Sequence, residues 1–393
     1  MLISKNKLPI MGLLLFLLLS NGCVGSTNLN SEQTTSNSSE NSTSISDATT
    51  SISEEDSSIS SVSSEKAPVL ARGEYANPVF REDFPDPTIV YDEKTNYYYA
   101  YATHGQIIRS NNLTEWARSG YAFSTKPQWG TQNADVWAPH VIYIQNQYVM
   151  YYSLSTWGDP NPGIGVAIAP RPNGPWVDQG ALFRSLAIGV NNSIDPVVFI
   201  SETEKVYMIW GSMRGNYIVE LSEDGLSLKD ESVAQANQTK KRIAGLDTSN
   251  EWHIDTYEAA YIHYRNGYYY LFLSTGSCCE GANSTYRVVV SRSQNPDGPY
   301  YDKVGRDMLN AGRGTLILES SELFAGPGHN SIFLDQSSAT WFLYHGYRKS
   351  NPGKGRQLLM DQLLWADDGW PYIANGLPSS LVMTGPYYLD KGN

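Results

Sequence analysis

The chain has 393 residues, enough for one large β domain or two ordinary ones, and a formal net charge of −12 from 28 basic and 40 acidic residues. That sign argues against nucleic acid as a partner, and three cysteines are too few for a multi-bridge framework, so packing must hold the core. The 27 tyrosines and 10 tryptophans suit sheets, and rings with polar handles also stack on sugar faces.

Residues 1–23 carry Lys5 and Lys7, an apolar run from Leu8 to Leu19, then Ser20-Asn21-Gly22-Cys23. A charged start, a short apolar core and small residues read as an export signal, too short for a comfortable membrane span. Cys23 after Gly22 resembles a bacterial lipobox, with Ser20 where a leucine is usual, so Cys23 is the expected lipidation site. Ordinary cleavage and secretion is the alternative. Residues 24–71 form a Ser-, Thr- and Glu-rich tether, expected to be disordered because it offers little apolar surface to offset chain entropy. The expected setting is a monomer, exported and lipid-anchored to a bacterial membrane.

From about Arg72 onward the pattern is short strands and turns, without a convincing long amphipathic helix. Phe84-Pro85-Asp86-Pro87-Thr88-Ile89-Val90-Tyr91 opens it, followed by a turn at Lys94-Thr95-Asn96 and the strand Tyr97–Ala102. Four more stretches have the same form: Ala138–Tyr143, Asp195–Ile200, Glu258–His263 and His329–Leu334. Each leads into a turn and a second strand; Asn266-Gly267 is the strongest hairpin signal among them. Between repeats lie near-copies of one turn cluster, Pro172-Asn173-Gly174-Pro175-Trp176 and Pro296-Asp297-Gly298-Pro299-Tyr300. Five copies of one supersecondary unit imply a radial repeat, an all-β five-bladed β-propeller over residues 72–393. Either the first residues after Arg72 or the segment after Gly355 would close the ring.

In a propeller the innermost strands start near one end of the central channel. The aligned first positions are Asp86, Ala138, Asp195, Glu258 and His329. An Asp before Pro is a good strand-start residue by itself. Three acids converging on one axis repel one another, and that points to function. Cys278 and Cys279 are neighbours; the Cα separation usual for disulfides argues for two free or buried thiols there.

The set Phe-Pro-Asp86-Pro, Ser-Ile-Asp195-Pro and Tyr-Glu258-Ala-Ala-Tyr resembles glycoside hydrolase family 43. Trp137-Ala138-Pro139, Ser277-Cys278-Cys279-Glu280-Gly281, Ser284-Thr285-Tyr286, Gly326-Pro327-Gly328-His329-Asn330 and Tyr344-His345 are similar to its arabinanase branch. The resemblance implies cleavage of α-1,5-linked arabinofuranosyl bonds of arabinan with inversion, at internal bonds of the chain; exo-acting arabinofuranosidase, β-xylosidase and a non-catalytic glycan-binding lipoprotein are the alternatives. It implies Asp86 as general base, Glu258 as general acid and Asp195 as the residue that orients Glu258 and keeps its pKa high. It also implies a structural Ca²⁺ held through water at His329. Trp137, Trp157, Ser212 and Arg214 are the candidates for the sugar subsites.

Overall fold

The computed structural model describes residues 69–229, 232–246 and 256–391. The signal segment with Cys23, and all of the tether up to residue 68, lie outside the described residues. The strands in chain order are β1 (Val69–Tyr75), β2 (Thr88–Asp92), β3 (Tyr97–Ala102), β4 (Gln106–Ser110), β5 (Ala117–Tyr121), β6 (Asp135–Ile144), β7 (Gln147–Ser155) and β8 (Gly163–Ala169). They continue as β9 (Val177–Arg184), β10 (Val197–Ile200), β11 (Val206–Trp210), β12 (Asn216–Glu220), β13 (Lys241–Ala244), β14 (Glu258–Arg265), β15 (Tyr268–Thr275) and β16 (Arg287–Ser293). The last are β17 (Thr315–Leu318), β18 (Phe324–Leu334), β19 (Thr340–Arg348), β20 (Arg356–Gln362), β21 (Leu364–Trp365), β22 (Pro371–Tyr372) and β23 (Met383–Asp390).

Strands β2–β5, β6–β9, β10–β13 and β14–β17 make four antiparallel meanders of four strands, and β18–β20 a fifth sheet of three. This is the five-bladed β-propeller. The fifth blade gains its outer partner from the N-terminal side: Val79 N donates to Leu358 O at 2.9 Å, and Phe84 N donates to Arg356 O at 2.8 Å. The C-terminal strand β23 pairs antiparallel with β1 outside the ring. Both ends of the domain therefore take part in closure. The α-helices among the described residues are Ser185–Ile188 and Val233–Thr239, and none is long and apolar enough to cross a membrane.

The Tyr-rich second strands are explained by what lies on their two faces. Successive side chains of a strand point in opposite directions. Tyr98 and Ala100 of β3 pack with Phe333, Trp341 and Leu343 of the fifth blade. Tyr99 and Tyr101, one residue out of phase, pack with Val141, Met150 and Tyr152 of the second. The same division gives an apolar cluster between the second and third blades, the third and fourth, and the fourth and fifth. Each middle strand is thus buried on both sides. Tyrosine fills such slots because its hydroxyl can reach a polar partner, as Tyr101 does to Pro172 O at 2.8 Å. The near-copy turns also match in structure, with cis peptides at Gly174-Pro175 and Gly298-Pro299.

Two expectations change. The entry strands of the second and fifth blades begin earlier than the repeated stretches suggest, because β6 and β18 already pair from Asp135 and Phe324, with register shifts at their mouths. Cys278 and Cys279 are bonded to each other rather than free. Their Cα separation of 3.8 Å is the spacing of adjacent residues, outside the range usual for bridges between distant segments, yet the pair closes.

Candidate active site

The five blade mouths share one backbone gesture. Asp86, Ala138, Asp195, Ala259 and His329 all have positive φ, between 42° and 59°. Non-glycine residues seldom adopt this conformation, and five at equivalent places mark a built feature. In the fourth blade the gesture falls on Ala259, so Glu258 stands one residue before the register that Asp86 and Asp195 occupy.

Each gesture frees an amide, and the preceding blade satisfies it. Ala138 N donates to Thr103 Oγ1 at 3.0 Å, Asp195 N to Ser153 Oγ at 2.9 Å, His329 N to Ser274 Oγ at 2.9 Å and Asp86 N to His345 Nδ1 at 3.0 Å. These acceptors lie in the later part of the second strand of their blades or, for Thr103, just after it. In the third blade that place is taken by Gly211, whose φ of +124° and close approach to Gly215 O leave no room for a side chain. There the amide of Ala259 donates instead to Asp195 Oδ2 at 3.2 Å. Asp195 is thereby tied to the strand that carries Glu258.

The three acids have different surroundings. Asp86 accepts from the Thr103 hydroxyl at 2.6 Å on Oδ2 and from Arg356 Nη1 at 2.9 Å on Oδ1, with His329 Nδ1 3.3 Å from Oδ1. Burial alone would lift its pKa, but Arg356 and then His329 hold the carboxyl well below its ordinary value. Asp195 is pushed up to about 7, first by burial and then by the charges of Glu258 and Asp86 working against His329. Burial also lifts Glu258; hydrogen bonds from Ser212 and Tyr286 and the positive His329 pull the other way, and Asp86 adds to the rise. The site therefore pushes its carboxyls in opposite directions, Asp86 toward the ionised form and Glu258 and Asp195 toward the protonated form, the kind of division that acid–base work on a single bond requires.

The remaining expected residues are found around this trio. Ser212, expected at a sugar subsite, is buried, and its hydroxyl donates to Glu258 Oε2 at 2.6 Å. Trp137 and Trp157 meet at 5.7 Å between ring centroids, and Trp157 is 76% exposed at the rim. Arg214 is half-buried in the turn between β11 and β12. His329 is on the axis; despite burial, Asp86 and the other two acids raise its pKa. Below it, a small cavity is lined by Thr88, His140, His329, Asn330 and Ser331. Both polar atoms of the Asn330 amide are buried without a protein partner.

Four residues with direct roles in this geometry had no assigned role in the sequence: Thr103, Tyr286, His345 and Arg356. Tyr286 stacks on His345 at 5.8 Å, and burial followed by the charge of Glu258 raises its phenol well above the usual range. His345 is fully buried and neutral, held so by desolvation and then by Arg356. A signal for Thr103 and His345 did exist: with Ser153 and Ser274 they recur opposite the entry positions, visible once the second strands are aligned.

The model of glycosyl hydrolases family 43 matches residues 75–371, which is nearly the whole propeller. The chain belongs to this family. Among family 43 relatives, it is 36% identical over 294 residues to arabinan endo-1,5-α-L-arabinosidase C of Emericella nidulans, covering 70% of this chain and 87% of the relative. It is 30% identical over 302 residues to the extracellular exo-α-(1→5)-L-arabinofuranosidase ArbA of Cellvibrio japonicus, covering 74% and 86%. The structure of the Cellvibrio cellulosa α-L-arabinanase complexed with arabinohexaose superposes with a TM-score of 0.67 at 28% identity, covering 75% of this chain and 96% of that one.

Proposed function

We propose that this family 43 enzyme hydrolyses α-1,5-linked arabinofuranosyl bonds of arabinan with inversion of configuration, acting within the chain. The observation that carries the reading is the opposite displacement of Asp86 and Glu258 from ordinary carboxyl behaviour in one channel mouth. Asp86, ionised, takes a proton from water as it attacks the anomeric carbon. Glu258, protonated, gives its proton to the departing glycosidic oxygen. Asp195 orients Glu258 through the Ala259 amide and, by its charge, favours the protonated form. The exposed Trp157 beside Trp137 offers an apolar face for a sugar at the surface, which suits a substrate chain that extends past the acids better than a closed exo pocket. Purified protein incubated with linear arabinan should release oligosaccharides before monomer. Asp86→Asn and Glu258→Gln, folded by circular dichroism, should each lower kcat by about 10³-fold; retained activity in either refutes the assignment.

A hydrated Ca²⁺ in the axial cavity is part of the same proposal. Among the described residues no group of three or more His, Cys, Asp and Glu is placed to hold a metal, so a carboxylate cage is not available. The unpartnered Asn330 amide offers a neutral oxygen beside His329, a set that suits an ion held largely through water. His329 and Asn330 would hold it, and it would supply structural charge under the acids. Chelation should lower the melting temperature and calcium should restore it; an unchanged melting temperature rejects the ion. Export and anchoring through Cys23, and a monomeric state, belong to the proposal too. Labelling with a radioactive fatty acid that Cys23→Ala abolishes would support the anchor.

A further inference from the structure

We propose that His104 is a specificity-determining residue, binding the arabinofuranose unit next to the reacting one on its non-reducing side. This rests on the arabinan reading above. His104 directly follows Thr103, the residue whose hydroxyl donates to Asp86 Oδ2, so it stands at the rim beside the base. Its backbone is left-handed, with φ of 70°, and its side chain is half-exposed, at 50%. A surface side chain in that conformation is normally free to move. Here it is held: His104 Nδ1 lies 2.6 Å from Asp135 Oδ2, while Lys126 Nζ lies 2.7 Å from Asp135 Oδ1. Asp135 is further pinned by Val136 N, which donates to Oδ1 at 2.8 Å. An imidazole fixed by a carboxylate through one nitrogen presents the other in a set direction, the device by which proteins aim histidines at ligands.

The neighbours indicate what that nitrogen faces. Asp135 and Trp137 are alternate residues of β6 and share a face, so the fixed imidazole and the exposed aromatic pair border one stretch of rim. Sugar rings combine an apolar face with a girdle of hydroxyls, and an aromatic platform beside an oriented hydrogen-bonding group matches both. In-line displacement places the base on the opposite side of the anomeric carbon from the leaving group. A residue next to Asp86 therefore addresses the half of the substrate that stays with the new reducing end.

The test compares arabinohexaose with arabinotriose, using the full-length protein. His104→Ala should raise KM for the hexaose about five- to tenfold, the range of one hydrogen bond, with kcat within about twofold. End-labelled hexaose should be cut at shifted positions, and the triose should be less affected. Asp135→Asn should raise KM in the same direction and by less, which covers the case that the alanine variant folds poorly. Equal loss of kcat on both substrates with KM unchanged overturns the proposal, since His104 would then act through Thr103 and the base. Unchanged constants and an unchanged cleavage pattern also overturn it. If the wild type cleaves neither oligosaccharide, the arabinan reading fails and this proposal with it.

Discussion

Ser212 shows how one hydroxyl can set the working range of an acid. It donates to Glu258 Oε2, and a donor to the ionised form lowers a carboxyl's pKa. Removing it should let burial act with less opposition, so the Glu258 pKa rises further. As the proposed general acid, Glu258 must be protonated to act, so the alkaline limb of kcat/KM should report its loss of the proton. Ser212→Ala should therefore move the alkaline limb to higher pH, while the acidic limb, set by an Asp86 held low by Arg356 and His329, stays in place. A pH–rate profile that narrows on the alkaline side would contradict this. The three clustered acids were legible in the sequence because Asp-Pro at 86 and 195 and Glu-Ala-Ala at 258 open strands at blade spacing. Arg356 and Thr103 were not, because an arginine opening one strand and a threonine just after another carry no local sign that folding sets them on one carboxylate.

At the scale of elements, the repeat was legible from hydrophobic pattern and turn residues, and the entry and second strands of the blades follow it. The outer strands β5, β9, β13 and β17 were not. Ala117–Tyr121 gives no strand signal in the sequence: it is short and contains Arg118 and Gly120, and in the fold it is largely exposed. An edge strand packs on one side at most and so lacks the apolar alternation that betrays inner strands. The vicinal bond of Cys278 and Cys279 was misread for a related reason: spacing rules for distant segments do not bear on adjacent residues. Closure of the ring has its own device. Asp361 of β20 accepts from Tyr344 at 2.6 Å, Asn77 at 3.2 Å, Ser379 N at 3.3 Å and Tyr75 at 3.4 Å, which joins the N-terminal segment, the fifth blade and the C-terminal segment. Burial lifts the Asp361 pKa from 3.8 to about 6 even with those donors present. A carboxyl with a raised folded pKa binds its proton more tightly when folded, so its contribution favours folding below pH ~4 and is lost as pH rises to ~6. The difference is on the order of 3 kcal/mol at neutral pH. Asp361→Asn should flatten the fall in melting temperature between pH 4 and 7; an unchanged slope would place the titration elsewhere, with Asp195 and Glu258 as the other raised acids.

For the propeller as a whole, the amide links run from blade to blade around the axis, and the last one returns to the first blade as Asp86 N to His345. Asp86, the proposed base, thus belongs to the seam. Its backbone is tied to the fifth blade, its carboxylate is paired with Arg356 of β20, and the segment just before it pairs with that same strand. Four of the five interfaces join blades that follow each other in the chain, whereas the fifth joins its two ends. The joint between chain ends has the longest loop to close and only non-covalent ties to hold it. Opening there would displace Asp86 while the other blades keep their cores. Enzyme activity should consequently fail ahead of the fold: in a urea titration, hydrolysis should drop at a lower concentration than the loss of far-ultraviolet circular dichroism. Coincident midpoints would mean that the seam is as strong as the blades it joins.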